Sequence, residues 1–152
     1  MESLFSQVLV PVDFSPHSER AALRGAVLAQ QMQARLTLLH VFSPEFVYPY
    51  PEMVGEMMPP VMVDLGDQLR ASAERGMQTL ADRLRQRYPD LHAETIESTD
   101  RTGSAIVDFA GRIQADLIVI GSHGHSGLGR MLLGSTTDRV VHEAHCAVLV
   151  IK

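Results

Sequence analysis

From Ser122 to Thr136 the sequence reads SHGHSGLGRMLLGST, and Gly121 stands just before it. Gly121, Gly124, Gly127 and Gly129 leave the backbone free to take positive φ and to approach a ligand closely. Successive N–H groups in such a segment form a concavity suited to an anion. Gly134-Ser135-Thr136 then reads as the start of a helix, where unpaired N–H groups and the positive dipole end favour phosphate. Ser135 followed by Asp138 fits the S-x-x-[DE] capping pattern and marks Ser135 as the cap. Asp13, far upstream, offers a carboxylate that can accept hydrogen bonds from ribose hydroxyls or from an exocyclic amine. Asp13 could instead serve only to cap the helix that follows it. Together these residue types describe a pocket for a nucleotide.

Neither of two familiar fingerprints for holding one fits. There is no G-x-x-x-x-G-K-[ST] segment, and the one lysine is Lys152, so the chain is not a P-loop NTPase. The turn Asp13-Phe14-Ser15-Pro16 has no glycine, which speaks against a dinucleotide fingerprint. Phosphate here must rest on backbone N–H groups, a helix start and hydroxyls, with Arg130 as a nearby cation. Histidines at 123, 125, 142 and 145 beside Cys146 suggest metal on paper. His145-Cys146 falls in a turn, however, and the set reads better as surface and turn side chains. Cys146 reads as a small buried hydrophobe. Met53, Met57, Met58 and Met62 form a thioether set that suits adaptable packing better than copper. Arg83, Arg85 and Arg87 read as a solvated helix end.

The elements that position these residues follow from the spacing of apolar side chains. VLVPV (Val8 to Val12) is a short, almost fully apolar run, as expected of a strand buried on both faces, and LTLLHVF (Leu36 to Phe42), LIVIG (Leu117 to Gly121) and AVLVI (Ala147 to Ile151) read as further strands. Leu91 to Glu97 is a weaker, polar strand suited to a sheet edge. Ser15-Pro16 supplies a cap and a proline at the first helical position, and Ala22, Gly25, Ala26 and Ala29 form a small-residue stripe. Leu65, Leu69, Ala73, Met77, Leu80 and Leu84 predict a second helix. Ile106, Phe109, Ala110 and Ile113 predict a third. Ahead of the second helix, Ser43 to about Val63 reads as an irregular, proline-rich connection. Strands alternating with helices imply a doubly wound, five-stranded parallel sheet of order 3-2-1-4-5, flavodoxin-like, with helices on both faces. Pro11 cannot donate to a ladder, so it belongs at the carboxyl end of the first strand. Ligands of such sheets sit beyond the carboxyl ends where the winding reverses, between the first and fourth strands. That places Pro11, Asp13, Gly121 and His123 together.

The chain has 152 residues, net charge −5, 45% apolar and 20% charged residues, and a single Cys. That composition fits one folded domain over 1–152 and excludes a disordered chain. Weak acidity gives no reason to expect nucleic acid. One thiol, no basic segment ahead of an apolar stretch, and no run of 18 apolar residues lead us to expect a cytoplasmic location and no membrane span. The final apolar strand would lie at a sheet edge, and pairing two such edges antiparallel gives a closed homodimer.

The spacing Gly121-x2-Gly124-x9-Gly134-Ser135 resembles the G-2x-G-9x-G-(S/T) signature of nucleotide-binding universal stress proteins. The flanks VLVPVDFS, LLHVF, DLIVIGSHGHSGLGRMLLGS and HCAVLVI are similar as well, and the likeness runs through the whole chain. Ala147 departs from the proline common there. The resemblance implies a Rossmann-like, adenine-nucleotide α-hydrolase-like fold that binds ATP or AMP. Adenine and ribose would lie near Asp13 and the backbone of Val41. Phosphates would lie along Gly121, Gly124, Gly127, Gly134, Ser135 and Thr136, with Mg or Mn accompanying them. It also points to a homodimer and to an effector protein that reads occupancy in a stress response. The alternatives are an ATPase, where the missing lysine and missing carboxylate motif argue against efficient hydrolysis and leave slow turnover open, and a dimeric interaction protein that binds no nucleotide, which the fully matching motif disfavours.

Overall fold

The computed structural model describes residues 4–43, 60–124 and 133–152. Strands β1 (Gln7–Pro11), β2 (Arg35–Phe42), β3 (His92–Glu97), β4 (Leu117–Gly121) and β5 (Ala147–Ile151) alternate with helices α1 (Pro16–Met32), α2 (Pro60–Arg85), α3 (Thr102–Arg112) and α4 (Ser135–Glu143). The strands form one sheet in the order β3-β2-β1-β4-β5, and every pairing is parallel. The predicted architecture is the observed one. Pro11 closes β1 opposite Leu39, and the ladder continues for one bond from Val12 N–H to the Leu39 carbonyl at 2.8 Å.

Period-two alternation divides the core. Val8, Val10, Leu36, Leu38, Leu117 and Val119 face α1 and α2. Leu9, Leu39, Ile118 and Ile120 face α3 and α4. The central strands β1 and β4 are buried along their whole length, as their unbroken apolar runs require. Helix α1 begins as predicted, with Ser15 as its cap accepting from Ser18 N–H. Its Ala22, Gly25, Ala26 and Ala29 stripe is buried. The contact is close: a Cβ on Gly25 would lie 2.5 Å from Val10 Cγ2.

The second helix departs from the expectation twice. It begins at Pro60, earlier than the irregular stretch to Val63 allows, because proline at the first helical position costs no hydrogen bond. Leu65 and Leu69, assigned to the apolar stripe, are 49% and 40% exposed, whereas Met77, Leu80 and Leu84 are buried. A 26-residue helix is about 39 Å long. The 8-residue β2 spans about 26 Å, so α2 outruns it by about a third of its length, and the exposed Leu65 and Leu69 lie in its amino-terminal part. The arginines at its other end are less free than predicted: Arg83 pairs with Glu19 at 2.9 Å and Arg85 with Asp82 at 3.3 Å. Met53, Met57 and Met58 lie outside the described residues, as does the side chain of Met62.

At the amino ends of the strands, Asp116 joins three of them. Its carboxylate accepts from Ser6 N–H and Ser6 Oγ, both at 2.7 Å, and from Gln7 N–H at 2.9 Å. Its backbone N–H donates to the Gln7 carbonyl at 3.0 Å, and its carbonyl accepts from Ala147 N–H at 3.3 Å. Partial burial opposes the charge, but these hydrogen bonds outweigh it and hold the carboxyl below its ordinary pKa. A depressed folded-state pKa contributes stability above about pH 4, the unfolded carboxylate value, and that stability is lost as pH falls through the folded value. Asp116→Asn is therefore expected to cost about 1 kcal/mol at pH 7. In denaturant titrations the deficit should shrink to nothing in acid; a deficit constant with pH refutes the carboxylate's role.

Candidate functional site at the sheet's winding reversal

A cavity of about 350 Å3 opens beyond the carboxyl ends of β1, β2 and β4. It is lined by Pro11, Asp13, Val41, Gly121, His123, Gly124, Gly134, Ser135 and Thr136, so nearly all the residues singled out by their spacing meet there. Gly127, Gly129, Arg130 and His125 lie outside the described residues. Spacing alone did not single out Ser18, His40, Thr102 or Thr137, which also line the cavity. Thr102 had a legible signal, since it opens the helix that Ile106 and Phe109 define.

The walls differ in character. Leu39, Val41, Ile106 and Ile120 supply an apolar floor, continuous with the core under α3 and α4. The rest of the lining is largely polar and includes two helix starts without side-chain caps. Helix α3 starts after Arg101, whose side chain makes no cap bond, and α4 starts after Gly134, which has no side chain to offer. First-turn N–H groups need acceptors from outside the helix. Thr102, Ser135 and Thr136, all on the cavity wall, stand at these two starts. By contrast, α1 is capped internally by Ser15.

Ser135 is thus not the cap its pairing with Asp138 suggested. Gly134 takes that position with φ −68° and ψ 157°, and its N–H donates to the Ser122 carbonyl at 2.8 Å. Ser135 stands one residue further in than a capping box requires, at the first helical position. Thr137 fastens the same turn to the sheet, donating from Oγ1 to the Gly121 carbonyl at 2.7 Å.

Of the two uses expected of the loop glycines, the described ones show one. None has positive φ, while Gly121 and Gly124 stand where the backbone is closely approached. A Cβ on Gly121 would meet the His17 backbone carbon at 2.9 Å, and one on Gly124 would sit 2.4 Å from Asp13 Oδ2. Beside the cavity the residue that takes positive φ is Phe14, at 63°, as Gln33 and Gln114 do elsewhere; the conformation costs a bulky side chain about 1–3 kcal/mol.

Asp13 itself accepts from Ser15 N–H through Oδ1 at 3.0 Å, and its own N–H donates to Ser18 Oγ at 3.2 Å. The turn is built around this carboxylate, with Ser15 doing the helix capping. Among the described lining residues Asp13 is the only acid. No described group of three or more His, Cys, Asp or Glu could hold a metal ion. His123 packs beside His17, ring centroids 5.6 Å apart, and its Nδ1 meets Ser122 Oγ at 3.1 Å. Cys146 lies elsewhere; burial, and then the Asp116 charge, push its thiol above the ordinary pKa, which leaves it a poor nucleophile at neutral pH.

Residues 5–152 match the family model described as the universal stress protein family. The chain belongs to the universal stress protein family. Among curated universal stress proteins, MJ0531 of Methanocaldococcus jannaschii is 30% identical over 151 residues, covering 99% of this chain and 84% of that one. The universal stress protein UspA from Lactobacillus plantarum superposes with TM-score 0.79 at 31% identity, covering 97% of each chain. A universal stress protein from Archaeoglobus fulgidus in complex with dAMP shares the fold, with TM-score 0.63, 20% identity and 99% of both chains covered. Among the described residues of this universal stress protein, no helix is long and apolar enough to cross a membrane.

Proposed function

We propose that the chain is a single domain that binds AMP or ATP in the cavity between β1 and β4 and acts as a nucleotide-dependent stress-response or signalling module. The observation that carries this reading is one cavity joining an apolar floor, the Asp13 carboxylate and two uncapped helix starts. A flat base suits the floor, ribose hydroxyls suit Asp13, and phosphate suits the N–H groups and hydroxyls at Ser135 and Thr136. Pro11, Val41, Gly121, His123, Gly124 and Gly134 would complete the wall, with Gly127 beyond the described residues. The dAMP complex of the Archaeoglobus fulgidus relative supports an adenine nucleotide. With Asp13 the single acid among the described lining residues, an accompanying Mg or Mn would take most of its ligands from the phosphates. The reading includes a cytoplasmic location, on the strength of the lone thiol, and an effector protein that senses occupancy.

Calorimetry on nucleotide-stripped protein tests it. Saturable heat is expected with AMP and ATP, and none at millimolar nucleotide refutes the site. Turnover of ATP at or above about 1 per second, the ordinary enzyme range, would replace the binding module with an ATPase.

The reading also includes a homodimer through β5, which is the sheet's outer strand beside β4 and carries Leu149 at 39% exposure. Light scattering should give a dimer at micromolar concentration, and Val150→Pro should yield monomer by removing a backbone donor. A wild-type monomer, or a dimer indifferent to Val150→Pro, refutes this arrangement.

A further inference from the structure

Phe14 stands between Asp13 and the cap residue Ser15, holds φ at 63°, and is not part of the cavity wall. A left-handed backbone at a bulky residue persists only where the surroundings impose it. Two ring contacts do so. On one side the ring lies against His40, centroids 4.6 Å apart. His40 is itself fixed by a 2.8 Å bond between Nδ1 and the Val12 carbonyl; since a carbonyl only accepts, Nδ1 carries the proton. On the other side the ring covers Gly76 of α2, where a Cβ would stand 3.2 Å from Cε2 and Cζ. Asp13 is confined in the same turn by Ser15 N–H at 3.0 Å and by Gly124, which leaves no space beside Oδ2. The position of the carboxylate therefore depends on a ring seated on another helix.

We propose that Phe14 is a positioning residue for Asp13, and that the seat of its ring on Gly76 makes the affinity of the nucleotide site depend on the position of α2. This rests on the reading of the cavity as an adenine-nucleotide site. The dependence is reciprocal: a displacement of α2 that changes affinity is opposed by bound nucleotide to the same factor.

AMP affinity measured by calorimetry, together with exchange of the Ser15 amide in ligand-free protein by NMR, tests the proposal. Phe14→Gly keeps the left-handed backbone accessible and deletes the ring. It should weaken AMP binding roughly tenfold in the native background and less than about twofold in the Asp13→Asn background, because the two residues act as a unit. Gly76→Ala lies on α2, outside the cavity wall, and replaces glycine by the best helix former. It should leave the melting temperature unchanged or raised, yet weaken AMP roughly two- to tenfold. A structural role alone would not separate stability from affinity in this way. Equal losses from Phe14→Gly in both backgrounds, or unchanged affinity in Gly76→Ala, overturn the proposal. If the wild type binds no AMP, the nucleotide reading fails separately and the amide decides. Faster Ser15 exchange in both variants supports positioning by Phe14, and unchanged exchange overturns it.

Discussion

Gly124→Ala is expected to lower affinity for AMP by about ten- to hundredfold while leaving the protein folded. The added Cβ would stand 2.4 Å from Asp13 Oδ2, well inside contact distance, so either the carboxylate or the segment bearing Gly124 must move. If the carboxylate turns away, its bond from Ser15 N–H and its proposed bonds to ribose are lost together. Hydrogen bonds to a charged group are worth about 1.5–3 kcal/mol each, which corresponds to the stated range. Gly134→Ala is the informative comparison. Its Cβ would find His123 Cα and the Ser122 carbonyl oxygen no closer than 3.5 Å, an ordinary contact, so the protein has room for it. Affinity lost there measures contact with the ligand itself. Calorimetry on the two variants separates the causes, and an unaltered affinity in Gly124→Ala would remove Asp13 from the binding site.

The largest expected loss of stability comes from the opposite face of the sheet. Gly25→Ala should destabilise by up to about 2 kcal/mol, because overpacking a filled core costs about 1–3 kcal/mol and the gain in helix propensity offsets about 1. The Cβ would lie 2.5 Å from Val10 Cγ2, and Val10 is fully buried at the centre of β1. Neither helix nor strand can retreat without opening the core between them. For a chain of this size, melting should fall by up to about 8 °C. Val10→Ala alone should also destabilise, by leaving a cavity. Combining the two should cost less than the sum, because the missing methyl groups make room for the new one. Strict additivity in thermal or denaturant melts would show that Gly25 is placed for another reason.

The architecture was legible because a parallel sheet covered on both faces writes its central strands as nearly unbroken apolar runs, and because helix starts such as Ser15-Pro16 carry local chemistry. Even the awkward Pro11 fell where its missing donor required, at the end of β1. Features set by tertiary distance were less legible. The periodicity of Leu65 and Leu69 says that a helix forms but not that it outruns β2, which depends on the strands it covers. The pair Ser135 and Asp138 matches a capping box, yet the cap is Gly134, because its N–H is taken by the Ser122 carbonyl. Glycine-rich spacing signalled a crowded backbone, but could not separate positive φ from close approach. Positive φ at Phe14 had no signal in its residue type at all; it follows from a ring held by His40 and Gly76. At the site, Asp13, Gly121 and Gly124 could be placed from strand ends alone, whereas Thr102 and Ser18 enter through helices whose orientation only packing decides.

The hydrogen bonds around Asp116 lie at the amino ends of the strands, and the cavity lies at the carboxyl ends. An all-parallel sheet thereby separates the fastenings from the workplace. Side chains such as Val41, Thr102, Ser135 and Thr136 can be randomised together in a library while the knot tying β1, β4 and β5 stays intact. Most members of such a library should remain foldable, which makes this chain a practical starting scaffold for evolving selectivity toward other small ligands.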